Sequence, residues 1–219
     1  MSQNPFEAFD CPEALRINKA RMDSVKELIL ELKSSIGIHS VLDAGCGVGH
    51  LSKALWELGI PKIIGIDARR ENVEEAQKRH SFGSFRCVDV EDLPNGQSFD
   101  LVFCFGLLYH LENPMRALRN VRAVTGKVLL LETMINTKVK PTLLLMDELR
   151  SINQGVRYLA FYPSESCVAK MLEAVGFPFL YRLKILPDHP NFRRKLLRKR
   201  ARTIVVASTV ELKSPHLIK

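Results

Sequence analysis

One stretch constrains the fold of this 219-residue chain more than any other: Val41-Leu42-Asp43-Ala44-Gly45-Cys46-Gly47-Val48-Gly49. A short apolar run leads into glycines at every second position, and Leu51, Ala54, Leu55 and Leu58 then recur at helical spacing. Glycine lacks a Cβ, so the backbone can take positive φ and let a ligand approach closely. The helix that follows points its unsatisfied N–H groups into the same space. A buried strand, a glycine turn and a helix are the unit by which open parallel α/β sheets present a ligand at a strand's carboxyl end. For a lone glycine pattern, a merely structural turn is the competing reading.

The flanking acids narrow the ligand. A dinucleotide fingerprint requires glycine at position 50, where His50 stands. Asp43, read as part of the turn, would repel a pyrophosphate and suits a ligand carrying positive charge. Ile63–Ile66 reads as a second strand ending in Asp67, about 20 residues on, where such folds place a ribose-binding carboxylate. Phe85–Val88 reads as a third strand ending in Asp89, and Leu101–Phe105, after Asp100, as a fourth. Each acid alone could be a cap or turn residue; capping is a poor account of all three together.

These residues, with Val-Asp89-Val-Glu-Asp-Leu-Pro and Phe99-Asp-Leu-Val, resemble the class I S-adenosylmethionine-dependent methyltransferases, in order from about residue 38 to the C-terminus. The resemblance implies a Rossmann-like α/β sheet of seven strands, mostly parallel, with an antiparallel C-terminal hairpin. It implies S-adenosyl-L-methionine as cofactor. It sets Gly45, Cys46, Gly47 and the nearby Asp43 at the methionine end, with Phe105 and Gly106 beside them. Asp67, followed by Ala68, would take the ribose hydroxyls, and Asp89 and Val90 the adenine.

A narrower likeness follows. Phe103-Cys-Phe-Gly-Leu-Leu-Tyr-His-Leu-Glu-Asn-Pro114, Leu130-Leu-Glu-Thr133 and Phe161-Tyr-Pro-Ser164 are similar to segments of the tRNA wobble-uridine carboxymethyltransferases and their relatives. Leu111 stands where those enzymes usually carry arginine, and about 40 residues precede the glycine turn in place of their long basic N-terminal region. The ordinary cofactor is therefore expected over a carboxylated one.

With 46% apolar residues, one domain of this length can bury a full core without disulfides. The five cysteines show no metal spacing and read as thiols in a reducing compartment. No signal-peptide pattern and no membrane-length apolar run is visible, so a cytoplasmic protein without a membrane partner is expected. Residues 1–12 read as a poorly ordered or docking arm. Met22, Val25, Leu28, Ile29, Leu32 and Ile36 form one helical stripe, so residues 1–37 are expected to be an N-terminal arm and helix before a cofactor-binding domain at 38–219. A fifth strand is expected at 127–132, a helix capped by Ser164, and last strands at 177–186 and 202–210. The segment 133–162, rich in large apolar residues, is longer than an ordinary connection and reads as a lid over the site; an extra helix covering the sheet is the alternative.

Methyl transfer is an in-line displacement at an already activated carbon, so the protein chiefly aligns the acceptor. An acceptor O–H or N–H also needs a base. His110, just past the fourth strand, is the candidate base, and Tyr109 the candidate to orient the acceptor or line its pocket. Glu132 is a further candidate. Net charge is +8, with Arg182, Lys184, Arg193, Arg194, Lys195, Arg198, Lys199, Arg200 and Arg202 crowding the C-terminal hairpin. That cluster could attract RNA, an anionic small substrate or a carrier protein. Three readings stay open: a methyltransferase acting on O or N of a small molecule, an RNA-modifying methyltransferase, and an inactive cofactor-binding interaction protein.

Overall fold

The structure, a computed structural model, describes residues 4–94, 96–193 and 200–219. Strands β1 (Ser40–Ala44), β2 (Lys62–Asp67), β3 (Ser84–Cys87), β4 (Phe99–Phe105) and β5 (Thr125–Asn136) are parallel neighbours. After β6 (Leu143–Asp147) and β7 (Leu159–Pro163) come β8 (Phe179–Leu183), β9 (Arg200–Ser208) and β10 (Leu217–Ile218). The main sheet runs β10-β8-β9-β5-β4-β1-β2-β3, with β9 antiparallel to both β5 and β8. Among the described residues it holds eight strands, one more than the expected seven. The addition is β10, two residues that pair antiparallel with Leu183 and Arg182 at the open edge of β8.

The strands alternate between two cores because successive side chains point to opposite faces. Leu42, Val102, Cys104, Leu129, Leu131, Val205 and Ala207 pack on one face with α5 (Pro114–Val124) and α6 (Glu165–Ala174). Val41, Leu101, Phe103, Val128, Leu130, Ile204 and Val206 pack on the other with α2 (Pro12–Ser35) and α3 (His50–Glu57). The helical stripe of α2 supplies Val25, Leu28, Ile29 and Leu32 to that second core, and Gly37 follows the helix at φ +70°. A fully buried leucine or phenylalanine contributes about 2 kcal/mol, so covering both faces is what holds a parallel sheet together. The caps agree with the residues: Pro114 opens α5, and Ser164 Oγ accepts from the Cys167 amide at 3.2 Å.

Two segments take a form that the sequence left unspecified. Within residues 1–12, the described part includes a short helix, α1 (Glu7–Asp10), held by the Asp10 carboxylate between Arg79 (2.8 and 2.9 Å) and His50 (2.9 Å). The segment 133–162 holds no extra helix: β5 runs on to Asn136, and β6 and β7 form a separate antiparallel hairpin. Among the described residues no helix is long and apolar enough to cross a membrane. Arg194, Lys195, Arg198 and Lys199 of the basic cluster lie outside the described residues.

Candidate functional site

After β3 the chain returns to the far side of β1 to form β4, and at that reversal the carboxyl ends of β1, β2 and β4 border one cavity of about 410 Å³. Gly45, Cys46, Gly47, Asp67, Ala68, Asp89, Val90, Phe105, Gly106, Tyr109 and His110 all line it. Three glycines of the first turn have positive φ: Gly45 (+79°), Gly47 (+53°) and Gly49 (+86°). A Cβ at Gly47 would stand 2.8 Å from the Phe9 ring, because α1 lies against this turn.

Asp43 is the exception among the expected residues, since it does not border the cavity. Its strand continues through Ala44, so the carboxylate sits inside β1 and not in the turn, where Ser52 Oγ donates to it at 2.5 Å. Burial, reinforced by the nearby Asp67, pushes its pKa up to about 7. Asp67 does face the cavity, and burial raises its pKa as well, against three N–H donors that favour its charged form. These are the amides of Arg69 (2.9 Å) and Gly47 (3.0 Å) and the Asn72 side chain (3.1 Å). Asp67 thereby fixes the glycine turn to its own strand end. Asp89 accepts from the Glu91 amide at 2.9 Å, so it caps a short turn while also lining the cavity.

At the β4 end a buried charge cluster appears. Glu132, fully buried on β5, accepts from Arg21 at 2.7 Å and from Arg202 at 2.9 and 3.2 Å. Burial opposes the Glu132 charge, but Arg202 and Arg21 more than offset it and hold its pKa below the usual range. Glu132 is thus committed to two guanidiniums and is not a free base. Arg202 also donates to the Tyr109 hydroxyl at 3.0 Å and stacks over its ring. Two arginines against one carboxylate leave a surplus positive charge, and Arg21 Nε is buried without a partner among the described residues.

His110 is buried beside Tyr109, with ring centroids 3.9 Å apart, and its Nδ1 bonds the Glu148 carboxylate. Glu148 belongs to the β6–β7 turn, whose residues 152–157 border the cavity. Arg69 holds that turn through the carbonyls of Gln154 (3.2 Å) and Gly155 (3.1 Å), and Asn153 reaches the Ala8 carbonyl at 3.4 Å. His50 borders the cavity with its ring bonded to Asp10. Among the described residues no group of three or more His, Cys, Asp or Glu is arranged to hold a metal.

Arg21, Arg69, Glu148 and the α1 helix were not singled out from the sequence. Arg21 carried a usable signal: it lies four and seven residues before Val25 and Leu28, so it shares their buried face. Glu148 carried none, since only the hairpin brings it 38 residues back to His110.

Residues 42–127 match the sequence model of a family described as a methyltransferase domain. Similar curated proteins are tRNA U34 carboxymethyltransferases. The one from Vibrio campbellii is 31% identical over 175 residues, covering 72% of this chain and 50% of the relative. The one from Idiomarina loihiensis is 30% identical over 151 residues, covering 63% and 45%. The chain spans about half the length of the curated relatives it matches. Among solved structures, the N-terminal domain of EvdMO1 with SAH bound is 20% identical at a TM-score of 0.67, covering 95% of this chain and 82% of that one. Magnesium protoporphyrin IX methyltransferase from Synechocystis PCC 6803 with bound SAM is 20% identical at a TM-score of 0.61, covering 96% and 86%. At such identities the likeness speaks to the fold.

Proposed function

We propose that this chain, which carries a methyltransferase domain on the class I S-adenosylmethionine-dependent methyltransferase fold, transfers a methyl group to an oxygen or nitrogen of a small molecule. The observation that carries the reading is a single cavity shared by the glycine turn, Asp67 and Asp89 on one side and Tyr109 and His110 on the other. The cradle fits the cofactor: Gly45 and Gly47 hold the turn at positive φ on the cavity wall, and Asp67 offers ribose hydroxyls an acceptor. The surplus charge of Arg21 and Arg202, with the orphaned Arg21 Nε, suits a carboxylate at the methionine end. When bound, S-adenosylmethionine supplies a methyl carbon activated by a sulfonium.

The chain's own residues do the rest. Tyr109 borders the acceptor's space with its hydroxyl fixed by Arg202. His110 takes the proton of the acceptor O–H or N–H as the new bond forms. The turn of the β6–β7 hairpin acts as the lid: with α1 it borders the cavity, and Asn153 of the turn donates to the Ala8 carbonyl of α1. A cavity bordered by both segments favours a small acceptor.

RNA is the second reading. It is supported by the tRNA-modifying relatives and by Arg200, which lies over the Tyr162 ring at 4.6 Å. Calorimetry with S-adenosylmethionine, followed by tritium-labelled methyl transfer into extract split into RNA, protein and small-molecule fractions, tests both. Label in small molecules is expected. Label confined to RNA replaces the first reading with the second, and binding without label in any fraction leaves an inactive cofactor-binding protein. Absence of binding heat, with Asp67→Ala changing nothing, overturns the cofactor.

A further inference from the structure

We propose that Glu148, at the start of the lid turn, is the positioning residue that sets the tautomer of His110, so that the base is competent only while the lid is docked. The inference rests on the reading of His110 as the base. Both side chains are buried, the histidine 8% exposed and the glutamate 4%, and Nδ1 of the ring meets Oε1 of the carboxylate. A carboxylate only accepts hydrogen bonds, so Nδ1 carries the proton. The ring borders the cavity, and with the proton on Nδ1 its Nε2 keeps a lone pair.

The glutamate is itself held. Its second oxygen accepts from the Gly155 amide at 2.8 Å, across the tip of the same turn. Gly155 packs so closely that a Cβ there would stand 2.5 Å from the His110 carbonyl oxygen and 2.8 Å from Glu148 Oε2. Arg69, next to the Asp67 strand end, grips the Gly155 carbonyl. One short segment therefore joins the cofactor side of the cavity to the ring nitrogen that must stay unprotonated.

The acceptor's lone pair forms the bond to the methyl carbon, the carbon–sulfur bond breaks with its electrons going to sulfur, and the acceptor proton moves to His110 Nε2. The imidazolium then formed carries both ring protons, and the Glu148 carboxylate lies beside the one on Nδ1. This is the arrangement in which an acid orients and stabilises a histidine base without itself taking the proton.

The decisive test needs no substrate. Nitrogen-15 labelling of the histidines in the full chain, at mildly alkaline pH and without cofactor, reads the tautomer of each ring through two-bond proton–nitrogen correlations. His110→Asn identifies the resonance. The neutral His110 ring is expected to carry its proton on Nδ1 in the native chain and to shift toward Nε2 in Glu148→Ala. Glu148→Asp should restore part of the Nδ1 form. A native ring protonated on Nε2, or a tautomer unmoved by Glu148→Ala, overturns the proposal.

In the labelled-methyl assay at fixed extract, Glu148→Ala should slow transfer by about tenfold or more. The calorimetric affinity for S-adenosylmethionine should stay unchanged. An unchanged rate also overturns the proposal. Failure of the native chain to bind S-adenosylmethionine overturns the methyltransferase reading instead, and the spectra still decide the Glu148–His110 relation.

Discussion

Arg21 Nη2 meets Glu132 Oε2 at 2.7 Å, joining residues 111 positions apart and tying the N-terminal helix to the middle of the sheet. Glu132→Gln should therefore unsettle the whole cavity wall. It leaves Arg21 and Arg202 buried against a neutral amide, and breaking a buried pair by removing one partner costs about 3–5 kcal/mol. Thermal melts at neutral pH should fall by several degrees. Because the folded pKa of Glu132 lies below its ordinary 4.5, its contribution is whole above that value and fades as pH falls through the folded pKa. Native and variant melts should thus converge in acid; a constant gap across pH would refute the pairing as its source.

Asp43 predicts the opposite slope. Its pKa is raised from 3.8 to about 7, so its stabilising effect is whole below pH 3.8 and is lost as pH rises through about 7. Holding this carboxylate charged costs on the order of 4 kcal/mol at most. The native melting temperature should drop as pH rises from about 4 to about 7 and level off above that, and Asp43→Asn should flatten that drop. Parallel curves for the two proteins would show that Asp43 is already ionised at neutral pH.

Arg69 makes a kinetic prediction about the lid. Its guanidinium bonds the carbonyls of Gln154 and Gly155, while its amide bonds Asp67. Arg69→Ala removes only the side-chain half. Charge-assisted bonds of this kind contribute about 1.5–3 kcal/mol each, so amide exchange over residues 151–155 should quicken by about tenfold or more. Exchange elsewhere should not change. Unaltered exchange would mean that the hairpin is held down by other contacts.

The sheet and the cofactor turn were legible because both are written in local pattern. Short continuous apolar runs give β1, β4 and β5 regardless of what they later touch, and Gly45, Gly47 and Gly49 announce positive φ at the turn. The short β10 was not legible, since two residues carry no periodicity and pair only because β8 leaves an open edge. Asp43 was misplaced by one structural step: the acid reads as a turn residue, but the strand's pairing with β2 carries on through Ala44↔Ile66 and buries it. Glu132 was visible as an acid at a strand end, yet its arginine partners come from α2 and β9, and no spacing links them. His110 was visible too; its carboxylate was not, because long-range hairpin docking decides it.

Gly47 separates two costs that a single substitution would blur. Its φ of +53° is in the left-handed region, and a Cβ there would also lie 2.8 Å from Cε1 of Phe9. Gly47→Ala should cost about 1–2 kcal/mol from the backbone alone. It should further push α1 off the turn and weaken S-adenosylmethionine binding. In Gly47→Ala/Phe9→Ala the clash is gone but the backbone cost remains. The double variant should therefore regain part, and only part, of the stability lost by Gly47→Ala, measured against Phe9→Ala alone. Full recovery would assign the whole cost to the Phe9 contact, and no recovery would show that α1 yields freely and that the turn's own geometry requires the glycine.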